Sequence, residues 1–362
     1  MENIRFTKEQ TPFYAELRAA VDHYFKSNNM SYRANNQMIF KISFMFFIYL
    51  FAYACIYIFN ENTSIFYSLY AFIGGWSVLL GLNIGHDAAH NAIFKKKQNN
   101  EILLFIFELL GTNAYNWKNR HLGAHHVFPN VMNQDSDIQQ TNLVKIFPKD
   151  KHKTFHAFQF LYMPFLYMLY ILRWVIYRDF KDARSAKIGA FNNSNYPRKE
   201  IIKMIFFKLF YMLYIVVLPA LFLNYGVGET LLAFFILTIS GSLVITMVLL
   251  STHVGEDACF PEPDKNGVLP YSWSYHQVIT AADFGTQSWL LNQLFGGFNH
   301  HVIHHLFPHI CHVHYPAMTP ILKEFSAKYN LPYRHKKYLL AAMFSHFKLL
   351  FRNGKKQEIA IH

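Results

Sequence analysis

The chain has 362 residues, of which 52% are hydrophobic and 18% aromatic, and its formal net charge is +12. The apolar residues gather into blocks of about 20, the length that crosses a bilayer, so a membrane protein is predicted rather than a soluble one. Basic residues collect at the cytoplasmic ends of membrane spans, which accounts for the positive net charge. The sequence shows no basic soluble domain of the kind that binds nucleic acid, so nucleic-acid binding is not predicted. The three cysteines lack paired spacing, which argues against a disulfide framework or a cysteine metal site.

Residues 1–38 are polar and charged. They predict a cytosolic arm with an amphipathic helix over residues 12–28, and not a cleavable signal peptide. Residues 39–362 are predicted to form a single domain.

Four apolar stretches in that domain predict membrane-spanning helices. They cover residues 39–59, 64–84, 202–223 and 231–251. The short links within the first and second pair contain no Lys or Arg, so each pair is predicted to be a helical hairpin with its link outside the cytoplasm. Both termini and the long blocks 85–201 and 252–362 are then cytosolic, and we expect a multi-pass protein of a bacterial inner membrane.

Two further apolar stretches are not predicted to span. Residues 102–111 are too few, which favours a re-entrant or buried helix. Residues 155–177 mix apolar side chains with Tyr and Trp, which favours a helix lying in the membrane interface. A fifth span there would also separate the third histidine cluster described next from the first two.

Three clusters of histidine follow the apolar stretches. Their members are His86 and His90; His121, His125 and His126; and His301, His304 and His305. At about 3.6 residues per helical turn, each cluster presents its imidazoles on one face. One such pair is more often a surface or core feature than a metal site. Eight donors on one side of a membrane exceed the four of a tetrahedral ion, so two metal ions are predicted.

The sequence around these clusters resembles the three histidine boxes of the membrane fatty acid desaturase family, in its bacterial acyl-CoA and acyl-lipid (linoleoyl-CoA-like) group. The matching segments are Gly85–His90, Trp117 with His121–His126, and Gly297–Pro308 continuing to Pro316. The resemblance implies an all-α integral membrane fold with four transmembrane helices as two hairpins. It also implies a helical cytosolic cap that holds two Fe ions and encloses an acyl tunnel.

The same resemblance implies an isolated ligand after the fourth span, and His253 stands in that place. Animal-type relatives carry an asparagine four residues earlier that holds a water, but Leu249 stands here. Front-end desaturases often begin the third box with glutamine and carry a fused cytochrome b5 domain with a His-Pro-Gly-Gly motif. This chain has His301 and no such motif, so no fused haem domain is expected. Electrons would come from a separate ferredoxin or cytochrome b5, with O2 as co-substrate.

Several residues near the boxes have two interpretations. Asn83, Asp87, Glu256 and Asp283 are candidates for orienting the ligand rings, or ordinary helix-capping groups. Gly74 and Gly75 either leave room for the acyl chain or permit close helix packing, which is the commoner use of small residues in membranes. Lys118 and Arg120 either bind a substrate headgroup or only follow the cytoplasmic bias of basic residues.

The predicted function is desaturation of a long-chain fatty acyl group, carried as acyl-CoA or acyl-lipid. No Glu-x-x-His motif of the carboxylate di-iron proteins occurs, which favours an all-imidazole site. The main alternative is a histidine-box hydroxylase or oxygenase of the alkane or carotenoid type. A metal transporter is less favoured because the predicted spans contain no histidine.

Overall fold

The computed structural model describes residues 4–355, which are mostly helical. Four helices are long and apolar enough to cross a membrane, and we number them apolar helices 1 to 4. Their bounds are Asn36–Ile58, Thr63–Ala89, Arg198–Phe222 and Val227–Leu250. Each corresponds to one predicted stretch, so the prediction of four apolar helices is confirmed.

Shorter elements surround these four. The remaining α-helices are Phe13–Ser27, Lys97–Leu109, Ala114–Arg120, Gln159–Tyr167, Tyr170–Arg173, Asp179–Arg184, Trp273–Thr280, Trp289–Leu294, His301–Leu306, Tyr315–Lys328 and Leu339–Gly354. Segments of π-helix are Gly81–Gly85, His121–His125, Trp174–Arg178 and Leu213–Val217, and 3-10 turns are Thr154–Phe158, Phe298–His300 and His312–His314. The strands form three small sheets: Arg5–Thr7 parallel to Val268–Ser272, Lys187–Ile188 antiparallel to Phe191–Asn192, and Asp283–Phe284 parallel to His335–Lys336.

Apolar helices 1 and 2 begin at asparagine side chains. The Asn35 side chain accepts a hydrogen bond from the Met38 amide, and the Asn62 side chain accepts one from the Ile65 amide. Each cap satisfies an amide that has no partner within the helix. The sequence therefore fixes where both helices start.

Apolar helices 2 and 4 pack so closely that their backbones are in contact. A Cβ atom added at Gly74 would lie 2.0 Å from the carbonyl oxygen of Leu237, whereas at Gly75 it would meet side-chain atoms of Ser240 and Val244 at 3.4 Å. Both glycines therefore serve helix packing, and Gly74 is the one that permits the close approach.

The stretch predicted as one interfacial helix is instead a bent helix pair, Thr154–Tyr167 followed by Tyr170–Arg184, with 74° between its arms. At the bend, the amide of Ile171 donates at 2.9 Å to Oγ of Ser242, a residue in the second half of apolar helix 4. Pro164 cannot donate a helical hydrogen bond and lies shortly before the break. The bend thus inserts beside the apolar helices, which the aromatic composition alone did not indicate.

The N-terminal arm packs on the region of the third histidine cluster. Its helix Phe13–Ser27 buries Phe13, Leu17, Val21 and Phe25, in the i, i+4 pattern of an amphipathic helix. These side chains share one core with Ile303 and with residues of the helix Tyr315–Lys328. The arm therefore supports the helix that carries His301, His304 and His305.

The two adjacent glycines give a matched test of this packing. We expect Gly74→Ala to destabilise the protein by about 1–3 kcal/mol, because its methyl group overlaps the Leu237 carbonyl. Gly75→Ala has only ordinary contacts to make and should cost far less. The two purified variants are heated to a series of temperatures, and size-exclusion chromatography then measures the fraction of each that is still folded. Equal stability would show that the helices do not depend on this contact.

Candidate metal centre

The structure gathers all nine predicted histidines into two buried groups. Group 1 consists of His86, His90, His121, His126 and His304. Group 2 consists of His125, His253, His301 and His305. Within each group the ring nitrogens lie within 4.8 Å of one another. Each of the three sequence clusters contributes to one or both groups, and His253 joins the second.

Local backbone geometry aims these side chains. The segments Gly81–Gly85 and His121–His125 are π-helical, so the chain turns more widely before His86 and through the second cluster. Single π-helical turns occur frequently at functional sites. The third cluster follows Gly296 and Gly297, both with positive φ. A Cβ atom at Gly296 would lie 2.3 Å from the Leu82 carbonyl oxygen, so glycine is what allows this loop to approach apolar helix 2.

Hydrogen-bond acceptors fix the tautomer of three rings in group 2. Nδ1 of His253 lies 2.8 Å from the Thr280 carbonyl oxygen. Nδ1 of His305 lies 2.8 Å from the Gln277 side-chain oxygen, and Nδ1 of His125 lies 2.8 Å from an Asp135 carboxylate oxygen. Because these partners only accept, each Nδ1 carries the proton and each Nε2 of a neutral ring presents a lone pair.

The Nε2 atoms within each group face one another, and in group 2 those of both His253 and His305 carry lone pairs. Nε2 of His253 lies 2.8 Å from Nε2 of His301 and 3.1 Å from Nε2 of His305. In group 1, Nε2 of His304 lies 3.2 Å from Nε2 of His86 and 3.0 Å from Nε2 of His126. Lone pairs cannot hydrogen-bond to each other, whereas a shared cation satisfies all of them.

An unpartnered ring nitrogen in group 1 fits the same interpretation. Among the described residues of that group, Nε2 of His90 is buried without a hydrogen-bond partner. A buried polar atom without a partner ordinarily costs about 1–3 kcal/mol. The donor sets therefore fit one transition-metal ion in each group, and imidazole suits iron, zinc, copper and nickel alike.

Electrostatics keep most of these rings neutral, which is the ligating form. Burial and the neighbouring imidazoles hold the pKa well below its usual value at six rings: His90, His121, His126, His301, His304 and His305. Burial lowers the pKa of His253 to about 3. At His125, burial acts in the same direction, but the Asp135 carboxylate outweighs it and raises the pKa.

The four candidate supporting residues differ in what they touch. Asp87 lies 3.4 Å from Nδ1 of His86 and accepts from both the ring and the amide of His312. The Asp283 carboxylate accepts from the Val302 amide and from Tyr333, so it holds the start of the third-cluster helix rather than a ring.

Within the described residues, the other two candidates have partners other than the histidine rings. The Asn83 amide donates to the carbonyl oxygens of Leu79 and Leu294 and thus ties apolar helix 2 to a neighbouring loop. Glu256 is partly exposed and forms ion pairs with Lys336 and Lys348. Both residues are close to ligands in sequence, but their side chains point elsewhere.

Sequence reasoning missed three side chains that contact the rings. Asp135 and Gln277 bond to group 2 as described above, and the Tyr315 hydroxyl lies 3.1 Å from Nδ1 of His304. Asp135 lies in an irregular loop without periodicity, and Gln277 is 28 residues from its partner His305. No local spacing connects Asp135 or Gln277 to the boxes, whereas Tyr315 lies within the third matching segment.

A cavity of about 470 Å³ borders the metal centre. Five of the nine histidines line it: His86, His121, His125, His253 and His301. Most of the remaining wall is apolar, and the Trp117 indole stacks on His121 with ring centres 4.6 Å apart. The volume lies within the range of about 300–1,000 Å³ that is usual for ligand sites.

The residues predicted to touch substrate occupy different places. Gly74 lines the cavity, whereas Gly75 does not. Arg120 also lines it, but its guanidinium is buried and paired with Asp137 and Asp182. Lys118 does not line the cavity, but it lies close enough to His90 for its charge to lower the pKa of that ring. Of the two basic candidates, only Arg120 therefore borders the cavity, and its charge is already neutralised.

Comparison with known proteins identifies the family to which the chain belongs. The family model described as "Fatty acid desaturase" matches residues 62–337. The acyl-lipid (8-3)-desaturase of Physcomitrium patens is 31% identical over 96% of this chain and 72% of its own length. The sn-1 linoleoyl-lipid 6-desaturase of Synechocystis is 28% identical over 98% of both chains, and the probable Delta(5) fatty acid desaturase C of Dictyostelium discoideum is 27% identical. The chain belongs to the fatty acid desaturase family, and the resemblance seen in the sequence is confirmed.

Membership of this family makes the chain an oxidoreductase of lipid metabolism. The four apolar helices fit the membrane location of that family. The histidine groups, in turn, fit its use of iron.

One buried histidine outside both groups should make stability depend on pH. His346 donates from Nδ1 to the Val254 carbonyl oxygen, its Nε2 accepts from Tyr167, and burial lowers its pKa to about 4. Its unfolded pKa is about 6.5. The unfolded state therefore binds the proton first, and this residue removes about 1.4 kcal/mol of stability per pH unit as pH falls from 6.5 to 4.

We expect the melting temperature of His346→Gln to fall less steeply over that pH range than that of the wild type. The comparison uses the slope with pH, so an overall loss of stability in the variant does not obscure it. His23→Gln, at an exposed position on the arm, is the control and should keep the wild-type slope. Identical slopes for all three proteins would contradict the assignment.

Proposed function

We propose that this desaturase introduces a double bond into a long fatty acyl chain at a di-iron centre, using O2 and electrons from a separate carrier. The observation that carries the proposal is the convergence of neutral, buried imidazole nitrogens beside an apolar cavity. Group 1 and group 2 would each hold one Fe ion. When bound, the two ions would supply the oxidising power that removes two hydrogens from an unactivated methylene pair, which no side chain can do.

The protein's own contribution is to position the acyl chain and to exclude water. The cavity wall between the histidines and Gly74 is lined by apolar side chains that include Phe107 and Leu237. Gly81 and Leu82 continue this wall towards His86. Holding one carbon–carbon bond beside the metal centre in a dry site favours reaction at that bond.

Electrons would arrive on the opposite side of the centre. His90 and His126 belong to group 1 but do not line the cavity, and His126 is partly exposed. Lys118 lies on the same side. A small acidic carrier of the ferredoxin or cytochrome b5 type fits this surface, because opposite charges steer encounter and set orientation.

The proposed placement puts both termini and the histidine groups on the cytoplasmic side of a bacterial inner membrane. The links 60–63 and 224–230 contain no basic residues, whereas the arm and the two long blocks are rich in them. The bent helix pair would enter the bilayer beside apolar helix 4 and return to the same side.

The function is tested by gas chromatography with mass spectrometry of total acyl chains from cells that express the protein. We expect a new unsaturated species with the wild type and none with His304→Ala, which removes a nitrogen shared by two contacts of group 1. His309→Gln, exposed and four residues from His305, should keep the product. Fragmentation of the unsaturated product in the mass spectrometer locates the double bond. A hydroxylated product instead would place the protein among the histidine-box hydroxylases.

Iron content tests the centre independently of activity. Asp135→Asn removes the carboxylate beside His125, and loss of such a supporting group typically weakens metal binding about 10- to 100-fold. We expect iron in the purified variant to fall from about two per chain towards one, measured by mass spectrometry of the metal.

Asp264→Asn is the matched control, since Asp264 accepts only backbone amides in an exposed turn. Full iron in both variants would contradict the role of Asp135. A wild-type protein without iron would remove the di-iron proposal.

A further inference from the structure

The cavity reaches the protein surface along a seam beside the bent helix pair. On one side of the seam lie Tyr170 and Arg173, and on the other lies Gln140. The Gln140 side chain donates to the Tyr170 hydroxyl at 3.1 Å, and Arg173 donates to the Gln140 carbonyl oxygen at 3.2 Å. Two polar contacts at one glutamine thus join the two sides.

The side chains at the outer end of this seam line the cavity and are exposed at the same time. Leu143 is 47% exposed, Leu169 39%, Ile176 59% and Tyr177 51%. The adjoining face of the bent pair also exposes Leu161 and Phe165. Contiguous exposed apolar side chains mark a surface that faces lipid or a partner. The bend lies against apolar helix 4 at Ser242, nearer the His253 end of that helix than its start, so we expect this opening to face lipid near that end of the span.

Arg173 supplies a charge at that opening. Only two basic residues line the described cavity, and they differ in their partners. Arg120 is paired with two carboxylates, whereas no carboxylate within the described residues lies within ion-pair distance of Arg173. Its guanidinium contacts the Gln140 carbonyl oxygen and lies 5.4 Å from the centre of the Tyr177 ring. Free guanidinium N–H groups at such a position suit ester and phosphate oxygens.

We propose that the acyl chain enters this cavity sideways from the bilayer while still esterified to a membrane phospholipid, and that Arg173 binds the ester and phosphate oxygens of that lipid. This inference rests on the proposed function; the acyl-lipid substrate follows the names of the relatives, and what is added is the entry route and the residue that positions the lipid. The apolar outer side chains would admit one acyl chain from the surrounding lipid. Arg173 would hold the glycerol end at the opening, so the methylenes reach the histidines in a fixed register.

Binding of two probes with the same acyl chain tests the role of Arg173. The purified full chain in detergent is titrated with dilinoleoyl phosphatidylglycerol and with linoleoyl-CoA, and bound copies are counted by native mass spectrometry. We expect phosphatidylglycerol to bind more tightly than the CoA ester. Arg173→Gln should weaken it about tenfold, as expected for loss of a charge-assisted hydrogen bond, and Arg173→Lys should recover part of the affinity.

Arg184→Gln is the matched control, since Arg184 is exposed on the same helical arm but does not line the cavity. It should bind phosphatidylglycerol as the wild type does. Tighter binding of linoleoyl-CoA than of the lipid, or equal lipid binding by the Arg173 and Arg184 variants, would overturn the proposal.

A second measurement tests the route. Leu143→Trp enlarges a side chain at the opening, and we expect it to slow the exchange of bound lipid for isotope-labelled phosphatidylglycerol several-fold. Leu161→Trp makes the same kind of change on the exposed face outside the cavity and should leave the exchange rate unchanged. Equal rates for both variants and the wild type would show that the chain enters elsewhere.

These outcomes separate the two proposals because neither binding assay requires turnover. If cells make the unsaturated product but substitution of Arg173 does not change lipid binding, only the proposed role of Arg173 in lipid binding fails. If the wild type contains no iron and makes no product while lipid binding still depends on Arg173, only the proposed oxidation fails.

Discussion

The mutual orientation of the Nε2 lone pairs is the constraint on which the rest of this structure depends. Nε2 of His253 faces those of His301 and His305 at 2.8 and 3.1 Å, and their acceptor-bound Nδ1 atoms leave no proton to share at His253 and His305. Such a cluster is unfavourable in a low-dielectric interior unless a cation joins it. The surrounding fold therefore has to assemble these rings, keep them neutral and hold them against their own repulsion.

The supports that do this come from every part of the chain. The carbonyl of Thr280, at the end of the helix Trp273–Thr280, orients His253, and Asp135 orients His125 from a loop ten residues further along the chain. Asp283 fixes the start of the third-cluster helix, whose other face packs on the N-terminal arm. Because each support is specific to one ring, removing it should alter one metal site while most of the fold remains. That separation is what makes iron content a sharper measure than activity.

The sequence predicts the apolar helices and the nine histidines because both depend on local pattern. Span length and the i, i+4 spacing of the clusters are properties of neighbouring residues, and the family resemblance adds His253. Asp135 escapes prediction because it lies in an irregular loop without periodicity, and Gln277 because it is 28 residues from its partner His305 on another helix. Asn83 and Glu256 show the converse: both are close to ligands in sequence, yet helix geometry and surface lysines direct their side chains away. The bent helix pair is missed for a similar reason, since Ser242, which meets its bend, belongs to another helix.

The two sides of the metal centre solve a conflict between its two proposed partners. An acyl chain requires a dry apolar wall, whereas an electron carrier is a soluble protein that needs an exposed polar surface. The histidines divide accordingly: His86, His121, His125, His253 and His301 line the cavity, and the partly exposed His126 lies on the other side. Because His126 and His304 are in contact within group 1, electrons delivered at His126 by the proposed carrier would need to cross only the proposed ligand shell. In the proposed arrangement the lipid would stay in the bilayer throughout, and the carrier would dock and leave without opening the cavity to water.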